Sequence, residues 1–261
     1  MDKNSGAIGV FDSGIGGLSV LAQIQKLLPN ENYIYYGDGA SLPLGEKSRE
    51  EILAVTDKAV GYLVEKGAKI VVIACNTATS VAKEYIRAKY NIDIVAMEPA
   101  VKPAILASKK GIIGVLATKC TIEGEPLRKL CELYGEGSKI VLKSGIGMVE
   151  MVENSSGKLT AENYELLKSH IESLISEGVD KIVLGCTHYP FLKDEIAEII
   201  GNRKVDIVDS APFVAKRVEK LLVLSSALSS NKEVGTVEFV SSKGEEYTQF
   251  IKTKYLHANK V

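Results

Sequence analysis

A single rhythm runs through this chain: a short run of apolar and β-branched residues, a turn of small residues, then an amphipathic stretch. Ala7–Phe11, Asn32–Tyr36, Lys69–Ala74 and Asp93–Met97 are such runs, and Gly111–Ala117, Lys139–Lys143, Lys181–Leu184 and Val205–Val208 restart the pattern. Between them Gly17–Leu28, Arg49–Lys66, Thr77–Lys89, Thr121–Tyr134 and Thr160–Glu177 place apolar residues at helical spacing. Strands separated by helices build parallel sheets from βαβ units. The expected fold is therefore α/β, with two similar domains, each a mostly parallel sheet flanked by helices, and the site in the cleft between them. This reading assigns residues 1–97 plus 208–261 to the first domain and 98–207 to the second. Ala211–Leu222, Thr236–Val240 and Glu245–Tyr255 supply the returning helix, strand and last helix, while Glu153–Lys158 and Ser225–Lys232 read as polar loops.

Composition narrows the class. With 46% hydrophobic and 25% charged residues, a 261-residue chain has the makings of a globular protein. A net charge of −1 gives no support to a nucleic-acid partner or a membrane surface. No apolar run approaches the roughly 20 residues that span a bilayer. Met1–Gly6 leads straight into a strand-like run without a secretory apolar segment, so a cytoplasmic location is expected. In that compartment four cysteines read as thiols rather than as a disulfide framework.

Two of those cysteines occupy the same place in two copies of one local pattern. Cys75 follows Ile70-Val71-Val72-Ile73-Ala74 and precedes Asn76-Thr77; Cys186 follows Lys181-Ile182-Val183-Leu184-Gly185 and precedes Thr187-His188-Tyr189-Pro190. The carboxyl end of a strand in an open α/β sheet is where ligands bind. One cysteine alone would read as a small core hydrophobe; two at equivalent turns point to a reaction with one thiol on each side of a substrate. A turn entering a helix N-terminus also favours the thiolate. Cys120 and Cys131 lack this context and read as structural.

The first strand ends in Asp12-Ser13-Gly14-Ile15-Gly16-Gly17, which is neither G-x-G-x-x-G nor a Walker loop. It reads equally as an anion-approaching loop or as a tight turn with Asp12 capping the next helix. Asp12 is a candidate proton partner for Cys75, and His188 for Cys186. Asp38 reaches the same end of the sheet or stabilises its own turn. Without C-x-x-C or H-E-x-x-H, no metal site is expected. The absence of G-x-S-x-G argues against a serine hydrolase.

With these residues in place the chain resembles the glutamate racemases of the aspartate/glutamate racemase family, over nearly its whole length. The resemblance rests on Gly9-Val10-Phe11-Asp12-Ser13-Gly14-Ile15-Gly16-Gly17, Tyr36-Gly37-Asp38, Ala74-Cys75-Asn76-Thr77-Ala78 and Gly185-Cys186-Thr187-His188-Tyr189-Pro190. It implies cofactor-independent interconversion of L- and D-glutamate, supplying D-glutamate for peptidoglycan. In that scheme Cys75 acts on D-glutamate assisted by Asp12, and Cys186 acts on L-glutamate assisted by His188. Asn76, Thr77 and Thr187 match positions that bind the substrate's amino and carboxylate groups; Ser13 and the Pro43-Leu44-Gly45 backbone match those holding its side-chain carboxylate. Thr118 and Thr121 fit the second-domain loop, and Glu153 matches an acidic position. Members often form dimers, so a homodimer is an expectation of the resemblance. The chain departs from the family at Gly39, where Thr is usual, at Leu44, where Tyr is usual, and at Ser144-Gly145-Ile146-Gly147, where Ala-Cys-Pro is usual. Two alternatives follow: a racemase of the same family acting on another amino acid such as aspartate, or a non-catalytic protein binding a small carboxylate.

Overall fold

The structure, a computed structural model, describes residues 6–155 and 158–258. The N-terminal stretch 1–5 and residues 156–157 of the polar stretch after Glu153 lie outside the described residues. In chain order the elements are β1 (Ala7–Asp12), α1 (Leu18–Leu27), β2 (Tyr33–Gly37), α2 (Arg49–Glu65), β3 (Ala68–Ile73), α3 (Asn76–Lys89), β4 (Asp93–Ala96), α4 (Val101–Ala107), β5 (Ile112–Ala117), α5 (Lys119–Glu123) and α6 (Glu125–Tyr134). They continue with β6 (Lys139–Ser144), α7 (Met148–Glu153), α8 (Ala161–Ser176), β7 (Lys181–Gly185), α9 (Lys193–Ile200), β8 (Asp206–Asp209), α10 (Ala211–Leu224), β9 (Val237–Ser241) and α11 (Glu245–Ala258). Short 3₁₀ helices cover Leu44–Glu46 and Tyr189–Leu192.

The chain divides into two compact units, Met1–Met97 with Ala211–Val261, and Glu98–Ser210. The first holds a five-stranded parallel sheet in the order β4-β3-β1-β2-β9; the second holds a four-stranded parallel sheet in the order β6-β5-β7-β8. With β9 set aside the two orders are the same: β1, β2, β3 and β4 correspond to β5, β6, β7 and β8. The α/β architecture of two helix-flanked parallel sheets is the one expected from the sequence rhythm.

Local chemistry explains the elements. Strands buried on both faces by crossover helices read as continuous apolar runs, and Val71, Val72, Ile73, Val183 and Leu184 are all fully buried. A capping box starts α2: the Ser48 hydroxyl accepts from the Glu51 N–H at 3.2 Å, and the Glu51 carboxylate accepts from the Ser48 N–H at 2.8 Å. Thr160 caps α8 by accepting from the Asn163 N–H at 3.2 Å.

Several expectations needed correction. The helix read over Thr121–Tyr134 is two helices, because Gly124 takes an extended conformation (φ −70°, ψ 137°) and Pro126 lies at the start of α6. The short helices α4, α7 and α9 were not foreseen, and Glu153, read at the edge of a loop, is the last residue of α7. Asp12 does not cap α1; Gly17 occupies that position, four residues beyond the Ser13 that follows the strand. Among the described residues, no helix is long and apolar enough to cross a membrane.

Candidate active site

Strand order places the candidate residues. In each sheet the chain steps from the first strand to a neighbour on one side, then crosses back to the other side. That reversal opens a crevice beyond the carboxyl ends of β1 and β3, and again beyond β5 and β7. Register completes the placement: Phe11 pairs with Ile73 and Asp12 with Gly37, so Asp12-Ser13 emerges beside Ala74-Cys75. Ala117 pairs with Gly185, so Thr118 emerges beside Cys186. The two cysteines thus end topologically equivalent strands.

In the first unit the Ser13 hydroxyl lies 3.5 Å from the Cys75 sulfur, and both side chains are buried. Cys75 is the N-cap residue of α3, so its sulfur sits where the helix presents amides and a positive dipole end. Asp12 is fully buried, and its carboxylate accepts from the Gly14 N–H at 3.0 Å. The Asn76 amide donates to the Met97 carbonyl at 3.4 Å, while among the described residues its buried Oδ1 has no hydrogen-bond partner. A buried acceptor left unpaired is costly, so this atom is a vacancy for a donor. Thr77 is buried one residue further along α3. Pro43, Leu44 and Gly45 form the start of the 3₁₀ turn, with Leu44 buried.

Asp38 is drawn into its own turn: its Oδ2 accepts from the Ser41 N–H at 3.1 Å, and its backbone N–H donates to the Asp12 carbonyl at 2.9 Å. The stabilising role is the one its contacts express. Its carbonyl also accepts from Ser242. Beside it the structure accounts for Gly39. That residue has φ +58°, and a Cβ placed there would lie 2.5 Å from Cε1 of Tyr247 on α11. The ring occupies the space that the family's threonine would need. Gly39→Thr is therefore expected to destabilise by about 1–3 kcal/mol through overpacking and a strained φ. Thermal melts should show the loss; an unchanged melting point in the variant would contradict this packing.

In the second unit a chain of three polar side chains forms. Glu153 Oε1 lies 2.7 Å from His188 Nε2, and His188 Nδ1 lies 3.8 Å from Cys186 Sγ. The carboxylate accepts, so Nε2 carries a proton, and when the ring is neutral it is Nδ1 that faces the thiol as an acceptor. All three side chains are largely buried. The turn after Cys186 differs from its counterpart after Cys75: it enters a 3₁₀ helix begun at Tyr189-Pro190, with His188 rather than the cysteine at the cap. The helix-terminus argument thus applies to Cys75, whereas Cys186 has an imidazole instead. Thr187 is buried between them in sequence. The Thr118 and Thr121 hydroxyls lie 3.0 Å apart, and Thr118 caps α5 by accepting from the Thr121 N–H at 3.3 Å.

No disulfide joins the four cysteines. Cys131 lies half-buried on α6, where burial and then the neighbouring Glu132 push its thiol pKa up; this suits a structural residue. Among the described residues no three His, Cys, Asp or Glu side chains converge as a metal site.

Residues 8–218 match the family model described as Asp/Glu/Hydantoin racemase. The chain belongs to that racemase family. A glutamate racemase of Herpetosiphon aurantiacus is 40% identical over 90% of this chain and 92% of its own. The crystal structure of the glutamate racemase isoform RacE1 from Bacillus anthracis has a TM-score of 0.88, with 31% identity over 97% of this chain and 95% of its own. The glutamate racemase of Francisella tularensis, in complex with D-glutamate, has a TM-score of 0.84 with 26% identity, covering 97% of this chain and 94% of its own. As a member of the racemase family the protein is an enzyme, an isomerase, and the reading as a non-catalytic binder falls.

Two further residues bear on this site. Tyr189, inside a motif already singled out, is fully buried and donates to the Gly145 carbonyl at 3.1 Å. His170 faces the core from α8, and its position among Leu167, Ile171 and Leu174 on one apolar stripe is the sequence signal that marks it.

Proposed function

We propose that this racemase interconverts L- and D-glutamate without a cofactor, in the cytoplasm, and that the product supplies peptidoglycan. One observation carries the reading: each of two topologically equivalent strand ends bears a buried thiol beside a polar side chain, Ser13 at Cys75 and His188 at Cys186. The names of the relatives select glutamate among amino acids.

Inversion at the α-carbon requires a base on one face and an acid on the other. From L-glutamate, the Cys186 thiolate takes the α-proton: the C–H bond breaks, an S–H bond forms, and the electron pair stays on carbon, delocalised into the α-carboxylate. The Cys75 thiol then delivers its proton to the opposite face, leaving Cys75 as thiolate. From D-glutamate the roles reverse. His188, with Glu153 holding Nε2–H, takes up or returns the Cys186 proton; Asp12 serves Cys75. Asn76 Oδ1 accepts from the substrate ammonium, filling its vacancy. Thr77 and Thr187 hold the amino and carboxylate groups, with Thr118 and Thr121 in support. Ser13 and the Pro43–Gly45 backbone receive the distal carboxylate.

The direct test is proton NMR of each enantiomer with purified protein in deuterated water, with optical rotation followed in parallel. Loss of the α-proton signal and decay of rotation from both enantiomers are expected. Absence of both with folded, reduced protein would overturn the glutamate reading. Asn76→Ala should raise KM for both enantiomers about tenfold to a hundredfold, the value of one hydrogen bond to a charged group; an unchanged KM would remove Asn76 from substrate binding.

A further inference from the structure

Among the buried polar side chains that the mechanism does not use, Tyr189 and His170 reach one and the same turn. We propose that Tyr189 and His170 act as a paired clamp on the Gly145–Gly147 turn, and so position Glu153 against His188. The proposal rests on the reading in which Glu153 and His188 serve Cys186.

The clamp grips two consecutive carbonyls. The Tyr189 hydroxyl donates to the Gly145 carbonyl at 3.1 Å, and His170 Nε2–H donates to the Ile146 carbonyl at 3.0 Å. The donors come from different elements, the 3₁₀ helix after His188 and helix α8. From the other side the Gly145 N–H donates to the Ala117 carbonyl of β5 at 2.9 Å. Turn and tyrosine are fitted to each other: a Cβ on Gly145 would lie 2.4 Å from the Tyr189 hydroxyl oxygen and 2.8 Å from the Met148 sulfur.

What the turn leads to gives the clamp its consequence. Gly147 caps α7, whose six residues end at Glu153. So short a helix does not hold itself in water. Its height is set by the turn that begins it and by the buried Met148, Met151 and Val152. Glu153 then meets Nε2 of His188, the residue immediately before Tyr189. The segment carrying the thiol and the imidazole therefore reaches back to fix the loop that delivers the imidazole's carboxylate.

His170 serves this one bond. Among the described residues its buried Nδ1 has no hydrogen-bond partner, and the ring's hydrogen bond is the one it donates to the Ile146 carbonyl. Burial lowers its pKa, with the charge of Lys143 adding to the effect, which keeps the ring a neutral Nε2–H donor. Tyr189 likewise stays a hydroxyl: burial, and next the charge of Cys186, hold its pKa well above the usual value.

The test compares Tyr189→Phe and His170→Leu in the full chain. Primary deuterium isotope effects on kcat/KM are measured with L- and with D-glutamate deuterated at the α-carbon. Because enantiomers are equal in energy, kcat/KM falls equally in both directions, by as much as about a hundredfold for a misplaced group. The isotope effects separate the steps. A handicapped Cys186 step becomes more limiting for deuterated L-glutamate, so that effect rises, while the effect with deuterated D-glutamate falls. His170→Gln, whose amide can donate to the same carbonyl, should recover most of the rate. Glu153→Gln is the companion variant and should move the two isotope effects in the same opposed directions. If it leaves them in place, the Glu153–His188 role itself is wrong. If it moves them but neither Tyr189→Phe nor His170→Leu does, whatever their rates, the clamp is overturned and the underlying reading stands. Should Tyr189→Phe fail to fold, the contrast between His170→Leu and His170→Gln decides: equal isotope effects in the two overturn the clamp.

Discussion

Cys75→Ala is expected to exchange the α-hydrogen of L-glutamate with deuterated water far faster than it forms D-glutamate, and Cys186→Ala to do the converse with D-glutamate. Each single variant retains one thiol. That thiol can remove the proton on its own face, exchange it with solvent and return deuterium to the same face. It cannot reach the opposite face, so configuration is kept while the isotope is lost. Racemisation should fall by about 10²–10⁴-fold, the range for removing one acid or base. One-dimensional proton NMR reads exchange, and chiral chromatography of the same sample reads inversion. Undiminished racemisation in either variant would end the two-thiol mechanism. Exchange of both enantiomers by a single-cysteine variant would end the one-face-per-thiol assignment.

The two thiols to which the proposed mechanism assigns the half-reactions have different surroundings. Cys75 caps α3, so its neighbours are the amides of that helix end and the Ser13 hydroxyl, with Asp12 closing the adjacent strand β1. Cys186 has instead an imidazole backed by a carboxylate. A helix terminus stabilises a thiolate without moving a proton, whereas an imidazole can take the proton itself. In the proposed mechanism two strand ends of identical topology therefore hold their thiols in different surroundings, a helix terminus at Cys75 and an imidazole at Cys186.

The sequence displayed the parts of this design that local physics decides. Continuous β-branched runs before Cys75 and Cys186 are what doubly covered parallel strands require, so both cysteines could be placed at strand ends before any coordinates. The start of α8 near Thr160 was legible for the same reason: the hydroxyl that caps it acts only three residues along the chain. What stayed hidden depends on distant residues or on elements too short for periodicity. Helix α7 has six residues, less than two turns, and without it Glu153 read as the edge of a polar loop. Its contact with His188 spans the long helix α8 and the strand β7 of intervening chain. Gly39 stood out as a departure, but its cause, the Tyr247 ring, comes from the last helix. The same holds for Gly145, whose missing side chain makes room for the Tyr189 hydroxyl.

Lys69→Met is expected to cost about 3–5 kcal/mol of stability, the usual penalty for stranding one member of a buried ion pair. The Lys69 ammonium lies 2.6 Å from Glu31 Oε2, and the two side chains are 5% and 3% exposed. Lys69 also donates to the Ala227 carbonyl at 2.7 Å, and Glu31 Oε1 accepts from the Ser229 N–H at 2.7 Å. Ala227 and Ser229 belong to the segment between α10 and β9, so the pair ties the returning chain to the strand-bearing part of the first unit. Among the described residues Glu31 Oε2 has no hydrogen-bond partner besides the Lys69 ammonium, and removing the lysine leaves a buried carboxylate without its cation. Lys69→Met/Glu31→Gln should recover most of the loss, because the neutral amide oxygen still accepts from Ser229 and no charge is buried. For a chain of this size each kcal/mol moves the melting temperature by about 2–4 °C, so the single variant should melt near 10 °C lower and the double variant close to the parent. Circular-dichroism melts at neutral pH give the comparison. A double variant as unstable as Lys69→Met would show that the attraction between the charges, rather than the stranded carboxylate, sets the cost. At temperatures where both variants remain folded, kcat should be unchanged, because Lys69 and Glu31 hold the scaffold and touch none of the proton-transfer groups.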